Sequence, residues 1–151
     1  MVRKLSLVLT AALAVMLVAG VATAIAAEFG TSAEAKAMLE KAVAAVEKDK
    51  AKALDMFTKG EGGFKDRDLY PFCGGPDGNF TAHPKLVGKS LKELKDKAGK
   101  ALGEEMYQVA KEGEISEVGY MWPRPGSETP VQKVSFVTKV ADQVCAVGYY
   151  K

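Results

Sequence analysis

Residues 115–140 read ISEVGYMWPRPGSETPVQKVSFVTKV, and this stretch decides the fold. It contains two β-type runs, residues 115–122 and 133–140, which are separated by a turn rich in proline and glycine. A third run, residues 143–149, follows after a tight turn. Three strands with short connections favour an antiparallel meander, so the chain is not a helical bundle.

A hairpin is predicted upstream of this meander. Two short β-type runs, residues 69–73 and 80–83, flank the turn sequence GGPDGN at residues 74–79. Pro71 has no amide hydrogen to donate, so it belongs either to an edge strand or to the start of its strand. Together the hairpin and the meander predict a sheet of five strands.

Helical signals precede the hairpin. Thr31 and Glu34 have the spacing of a capping box, which opens a helix that runs to about Lys48. Asp49 can cap a second, shorter helix, and Gly60 is placed to end it. We therefore expect two consecutive helices before the first strand.

More helix is expected in the connection between the hairpin and the meander, residues 84–113. Ser90 and Glu93 have capping-box spacing, and an apolar stripe further along ends at Gly113. These signals predict a long helical crossover. Helices segregated to the faces of an antiparallel sheet make an α+β fold, and this order of elements is that of a PAS-like sheet.

The N-terminus has the features of a secretory signal peptide. A basic pair at residues 3–4 precedes a mainly apolar run, residues 5–21, and two overlapping Ala-x-Ala sites follow. We expect residues 1–26 to be removed, which leaves one domain of residues 27–151. The alternative is an uncleaved anchor, because the apolar run is uncharged and about 20 such residues span a bilayer. Both alternatives place the folded domain outside the cytoplasm, in the periplasm.

Charge argues against a nucleic-acid partner. The chain has 21 basic and 19 acidic residues. Arg3 and Lys4 supply the whole excess, so the domain that follows the signal peptide is formally neutral. A neutral domain without a basic cluster lacks the charges that phosphate contacts require.

Cys73 and Cys145 are the only two cysteines. Exported thiols tend to pair, so we expect one disulfide, and two buried free thiols are the alternative. Two cysteines and one histidine are too few ligands for a zinc site. The sequence also contains no motif for a catalytic nucleophile or a phosphate loop. We therefore expect no metal, no cofactor and no enzymatic activity.

Three segments resemble the single Cache domain, a PAS-like sensor module found outside the cytoplasm. They are DLYPFCGGPDGNFTAHPKLVGKSL at residues 68–91, the stretch at residues 115–140, and VCAVGYYK at residues 144–151. The shared pattern is a turn ending in Asp-Gly, a strand ending in Ala-His-Pro, the sequence Leu-Val-Gly-Lys, and a Tyr-x-Trp-Pro strand. The resemblance implies that the first and last strands are neighbours in the sheet, which makes the disulfide plausible.

The resemblance also implies that a small organic acid binds against one face of the sheet, under the crossover. The residues predicted to bind it are Tyr70, His83, Tyr120, Trp122, Arg124 and Lys133. Tyr120 and Trp122 lie two apart on a strand and so share a face, while a lysine or arginine could hold a carboxylate. The alternative for each residue is an ordinary core or surface position. For Lys133 to take part, Val134 and Phe136 must face the helix-covered side.

The expected function is binding or sensing of a small organic acid outside the cytoplasm, as in chemotaxis or other signal transduction. No transmembrane helix or signalling domain follows the segments that resemble a Cache domain. We therefore expect a separate membrane receptor or transporter to receive the signal. The alternative is a periplasmic structural or interaction protein without a small ligand.

Overall fold

Eight helices and strands follow one another in a computed structural model that describes residues 27–151. Three are helices: α1 (Ser32–Lys48), α2 (Lys50–Lys59) and α3 (Leu102–Val109). Five are strands: β1 (Pro71–Gly74), β2 (Phe80–Ala82), β3 (Ser116–Pro123), β4 (Pro130–Val140) and β5 (Gln143–Tyr150). The predicted signal peptide, residues 1–26, lies outside the described residues. From residue 27 onward, no helix combines the length and the apolar character needed to cross a membrane.

The five strands form one antiparallel sheet in the order β2-β1-β5-β4-β3. The hairpin β1-β2 joins the meander β3-β4-β5 because β1 pairs with β5. This arrangement confirms the predicted α+β, PAS-like fold. Pro71 is the first residue of β1, which lies inside the sheet. Of the two positions predicted for this proline, the strand start is therefore the one observed.

The first two helices begin and end as predicted. The Thr31 hydroxyl accepts a hydrogen bond from the Glu34 amide (3.3 Å), and the Glu34 carboxylate accepts one from the Thr31 amide (2.8 Å). Asp49 caps α2 by accepting a hydrogen bond from the Lys52 amide (3.1 Å). Gly60 ends α2 in the left-handed conformation, with φ of 70°. The local signals were sufficient here because each cap is satisfied within a few residues.

Helix α1 covers one face of the sheet. Its buried side chains pack against Phe136, Val140 and Val147 of the sheet. They are Ala35, Met38, Leu39, Ala42 and Val46. Because side chains alternate along a strand, the positions next to Phe136 on β4 face the other way. The second face of the sheet is covered by the crossover and α3, through Leu91, Leu102 and Met106.

The crossover is less helical than predicted. The Ser90 hydroxyl accepts a hydrogen bond from the Glu93 amide (3.1 Å), but the chain makes a turn there and not a helix. Between residues 84 and 113, the helical part is α3. Gly88 and Gly99 have φ of 84° and 85°, a conformation that interrupts a right-handed helix. The predicted capping box is therefore a local serine turn, which uses the same hydrogen bond.

The predicted disulfide is present. Cys73 of β1 and Cys145 of β5 face each other across the two strands and are bonded. The bond joins residues 72 positions apart. For a loop of that length, the chain-entropy model gives a stabilisation of about 4.4 kcal/mol. The disulfide thus fixes the first strand against the last near the middle of the sheet.

Candidate functional site

A small cavity lies between the sheet and the crossover. It is lined mainly by aromatic and apolar side chains, with one lysine and one histidine: Tyr70, Phe72, Phe80, His83, Leu86, Leu94, Leu102, Tyr120, Trp122 and Lys133. Its volume is about 10 Å³, which is room for about one water molecule. The lining side chains therefore fill most of the space between the sheet and the crossover, and a ligand of several heavy atoms requires them to move apart.

Five of the six residues predicted to bind a ligand line this cavity: Tyr70, His83, Tyr120, Trp122 and Lys133. Lys133 lies on the cavity side of β4, and Phe136 packs on the opposite side against α1. That is the orientation which the predicted site required. The sixth residue, Arg124, lies outside the cavity lining.

The Lys133 ammonium is the main electrostatic feature of the cavity. The residue is only 1% exposed. Its Nζ donates a long hydrogen bond to the Tyr70 hydroxyl (3.4 Å) and lies 4.7 Å and 4.9 Å from the ring centroids of Tyr70 and Tyr150. Within residues 27–151, no carboxylate is within ion-pair distance of this Nζ. Burial lowers the pKa of Lys133 to about 7, although the charge of Asp68 offsets part of that effect.

His83 is held as a neutral hydrogen-bond donor. Its Nδ1 accepts hydrogen bonds from the backbone amides of Lys85 (2.9 Å) and Leu86 (3.2 Å). Burial, and then the positive charges of Lys133 and Lys85, lower the pKa of His83 to about 4. At neutral pH the ring therefore carries its one proton on Nε2. A ligand in the cavity can accept a hydrogen bond from that nitrogen.

Tyr120 and Trp122 form an aromatic wall, with ring centroids 6.2 Å apart in an edge-to-face arrangement. The Tyr120 hydroxyl shares a 2.8 Å hydrogen bond with the Ser135 hydroxyl. Burial raises the pKa of Tyr120 well above its ordinary value and raises that of Tyr70 to about 12. Both phenols are therefore neutral at physiological pH. The wall supplies shape and apolar contact, while Tyr70 keeps a hydroxyl available near Lys133.

Arg124 lies beside the cavity, against Asp68. The guanidinium lies over the rings of Phe29 (3.9 Å) and Tyr150 (5.0 Å). Its Nε is 3.9 Å from Oδ2 of Asp68, and neither atom has a hydrogen-bond partner in the described part of the chain. The other oxygen, Oδ1, accepts a hydrogen bond from the Gly30 amide (2.7 Å). Arg124 thus connects the surroundings of Lys133 to the segment that precedes α1.

A wider groove adjoins the cavity and shares with it Tyr70, His83, Leu86 and Trp122. Among the described residues, no aspartate or glutamate lines this groove. Five basic side chains do: Lys59, Lys65, Arg67, Lys85 and Arg124. Three of them, Lys59, Arg67 and Arg124, are paired with carboxylates outside the groove. The positive charges of this groove, which we call the basic groove, favour the approach of an anion to the cavity.

Reasoning from the sequence missed several residues of the site. Phe72 follows Tyr70 by two positions, so alternation along the predicted strand of residues 69–73 could have placed it on the same face. Tyr150 lies directly opposite Lys133 in the β4-β5 pair. That neighbour depends on the register between two strands. Asp68 gave no usable signal, because its role comes from contacts made after folding.

The fold and the cavity define a class of protein: an α+β domain with a PAS-like sheet and a small, tightly packed site on one face. A family model described as Cache domain matches residues 28–150. The chain therefore belongs to the Cache domain family. It is similar to the sensor domains of chemotaxis receptors, which are signalling modules, and its fold is consistent with ligand sensing outside the cytoplasm.

One curated relative is the methyl-accepting chemotaxis protein McpP of Pseudomonas putida. It is 38% identical to this chain over 56 residues. The matched segment is 37% of this chain and 10% of McpP, so the chain corresponds to a small part of that relative.

Solved structures with the same fold are also sensor domains or chemotaxis proteins. A methyl-accepting chemotaxis protein from Vibrio parahaemolyticus has a TM-score of 0.64 at 23% identity, over 78% of this chain and 86% of that one. A periplasmic sensor domain of a chemotaxis protein has a TM-score of 0.59 at 26% identity, over 76% and 86%. The structure of a Cache chemosensory domain, which shows how that domain recognises carboxylic acids, has a TM-score of 0.58 at 24% identity, over 76% of this chain and 84% of that one.

Proposed function

We propose that this domain senses a small monocarboxylate outside the cytoplasm and holds it in the cavity through Lys133. The observation that carries the proposal is an ammonium that is 1% exposed and has no carboxylate partner within residues 27–151. A charge removed from water without a partner is unfavourable, and an anionic ligand supplies that partner. The lowered pKa of Lys133 is the sign of this unfavourable burial.

The other groups of the cavity suit a carboxylate with a short apolar tail. The proton on Nε2 of His83 and the hydroxyl of Tyr70 can each donate to a carboxylate oxygen. Trp122 and Phe72 offer apolar surface to the tail. The small volume favours the shortest acids, because each added carbon requires a larger movement of the lining side chains.

The comparisons support the proposal without extending to a ligand for this chain. Carboxylic acid recognition belongs to the similar Cache chemosensory domain, at an identity that shows a common fold.

We further propose a periplasmic location after removal of residues 1–26, with a separate membrane receptor or transporter as the signalling partner. Intact-mass measurement of exported protein should find a start at Ile25, Ala27 or Glu28. A membrane-bound species that still contains residue 2 would support an anchored domain.

Calorimetric titration of acetate, propionate and other C2–C4 acids tests the proposed ligand class. Removing one partner of a buried charge pair costs about 2 kcal/mol or more, so Lys133→Ala should bind the acid at least about 30-fold more weakly. Trp122→Phe keeps an aromatic wall and should lose less. Lys139→Ala, at an exposed lysine of the same strand, is the matched control and should bind normally.

Two results would contradict the proposal. Undiminished affinity in Lys133→Ala would remove this lysine from the site. Absence of binding by every acid in the panel would favour the alternative, a periplasmic interaction protein without a small ligand.

A further inference from the structure

Gly148, in the last strand, is not required by the backbone conformation at its position. Gly148 lies in β5, directly opposite Ser135 of β4. It is not among the glycines with positive φ, so its backbone conformation suits any residue. Glycine within a strand normally weakens the strand, because it loses more backbone freedom on folding and contributes no side chain. The reason for a glycine here is therefore to be found in the space above its Cα.

Lys133 occupies that space. A Cβ atom on Gly148 would overlap Cε of Lys133 and would lie 3.3 Å from its Cδ. It would also lie 2.5 Å from Oγ of Ser135, which is the partner of the Tyr120 hydroxyl. Lys133 stands opposite Tyr150 in the register, so its stem runs across β5 towards Gly148. Because Gly148 has no side chain, the surface of β5 at this position is free, and the Lys133 stem lies on it.

The contact between the Lys133 stem and the backbone of Gly148 determines the position of the ammonium. With its stem against Gly148, Lys133 places Nζ between the rings of Tyr70 and Tyr150, at 4.7 Å and 4.9 Å. A methyl group at position 148 would overlap the Lys133 stem, so the stem would have to move away from β5. The ammonium would then leave its place between the rings of Tyr70 and Tyr150.

We propose that Gly148 is a positioning residue for the carboxylate site, because it lets the Lys133 stem lie flat on β5 and so sets the position of the ammonium. The inference rests on the proposed function for its effect on binding, but not for its effect on Lys133 itself. Gly148 touches no ligand and acts through the lysine.

Gly148→Ala tests this inference, with Gly119→Ala as the matched control. Gly119 lies in β3, also without a positive φ, and a Cβ there would meet nothing closer than 4.0 Å. For propionate and acetate, Gly148→Ala should lower the affinity at least about tenfold, as expected when the charge partner is displaced. The pH above which the affinity falls should also rise, because a displaced ammonium regains water. Gly119→Ala should leave both quantities unchanged.

Unchanged affinity and an unchanged pH profile in Gly148→Ala would overturn the inference, and so would an equal loss in Gly119→Ala. A second measurement needs no ligand: the pKa of Lys133, followed by NMR of its Cε, should rise in Gly148→Ala. If wild-type protein binds none of the acids, the proposed function fails, yet this NMR measurement still decides the inference. A constant Lys133 pKa would refute it.

A double-mutant cycle covers the case in which Gly148→Ala folds poorly. The same substitution in a Lys133→Ala background no longer meets the lysine stem, so it should destabilise the protein less than in wild type. Equal destabilisation in the two backgrounds, or failure of Gly148→Ala to fold in both, would contradict the role assigned to Gly148.

Discussion

Replacing Lys133 by methionine should stabilise the ligand-free protein and abolish carboxylate binding. Methionine has an unbranched, adaptable side chain that is one heavy atom shorter, so it can follow the path of the lysine stem towards the rings of Tyr70 and Tyr150. It removes an ammonium that is almost fully buried without an ion-pair partner in residues 27–151. Replacing a buried charge by an apolar group of similar volume often stabilises a protein. Stability and function should therefore change in opposite directions at this one position.

The size of the stabilisation follows from the pKa of Lys133, which falls from its ordinary 10.5 to about 7 in the folded protein. Each pH unit of that difference corresponds to about 1.4 kcal/mol, so the charged lysine costs up to about 5 kcal/mol below pH 7. Between pH 7 and 10.5 the unfolded chain holds the proton more tightly, so the cost declines as the pH rises. The stabilisation by Lys133→Met should therefore be up to about 5 kcal/mol at pH 6 and up to about 2 kcal/mol at pH 9.

Urea unfolding of wild type and Lys133→Met at the two pH values measures this difference. Lys139→Met, at an exposed position of the same strand, is the control and should change the stability by less than about 0.5 kcal/mol at either pH. A Lys133→Met variant that is less stable than wild type at pH 6 would refute the reasoning. So would a stabilisation of equal size at pH 6 and pH 9.

Three further predictions concern the binding profile, the approach of the ligand and the disulfide. The affinity for acetate should be nearly constant around pH 6, be lowered about twofold at pH 7, and fall by up to about tenfold per pH unit above that, because binding must then take up a proton; a flat profile to pH 9 would argue against a titrating ammonium. The double variant Lys65→Gln/Lys85→Gln should slow association at low ionic strength, with little change in dissociation, whereas Lys36→Gln should not; equal rates would deny the basic groove a steering role. Thiol titration of unfolded, unreduced protein should find no free thiol, and replacing Cys73 by serine should lower the stability by roughly 2 to 4 kcal/mol; two reactive thiols per chain would show that the bond is not formed.

The local elements were predictable where a signal and its structural partner lie close together in the chain. Thr31 with Glu34, and Gly60 after α2, act within one helical turn and appear in the structure as expected. Alternation along β4 also predicted that Lys133 faces the side opposite Phe136. A register shift of one residue would have turned Phe136 away from the core.

The features that the sequence did not place depend on neighbours that are distant in the chain. Ser90 has the spacing of a helix cap, but the glycines on either side of the segment allow turns instead. Arg124 follows the end of β3, where alternation no longer sets a direction, and it pairs with Asp68 beside the cavity. Gly148 becomes informative only once the register sets it beside the stem of Lys133.

A crystal structure of the domain with propionate tests the central claim most directly. The account predicts a carboxylate in the cavity with one oxygen about 3 Å from Nζ of Lys133 and a hydrogen bond from Nε2 of His83. Propionate density away from Lys133, or a cavity that stays free of propionate at saturating concentration, would contradict it.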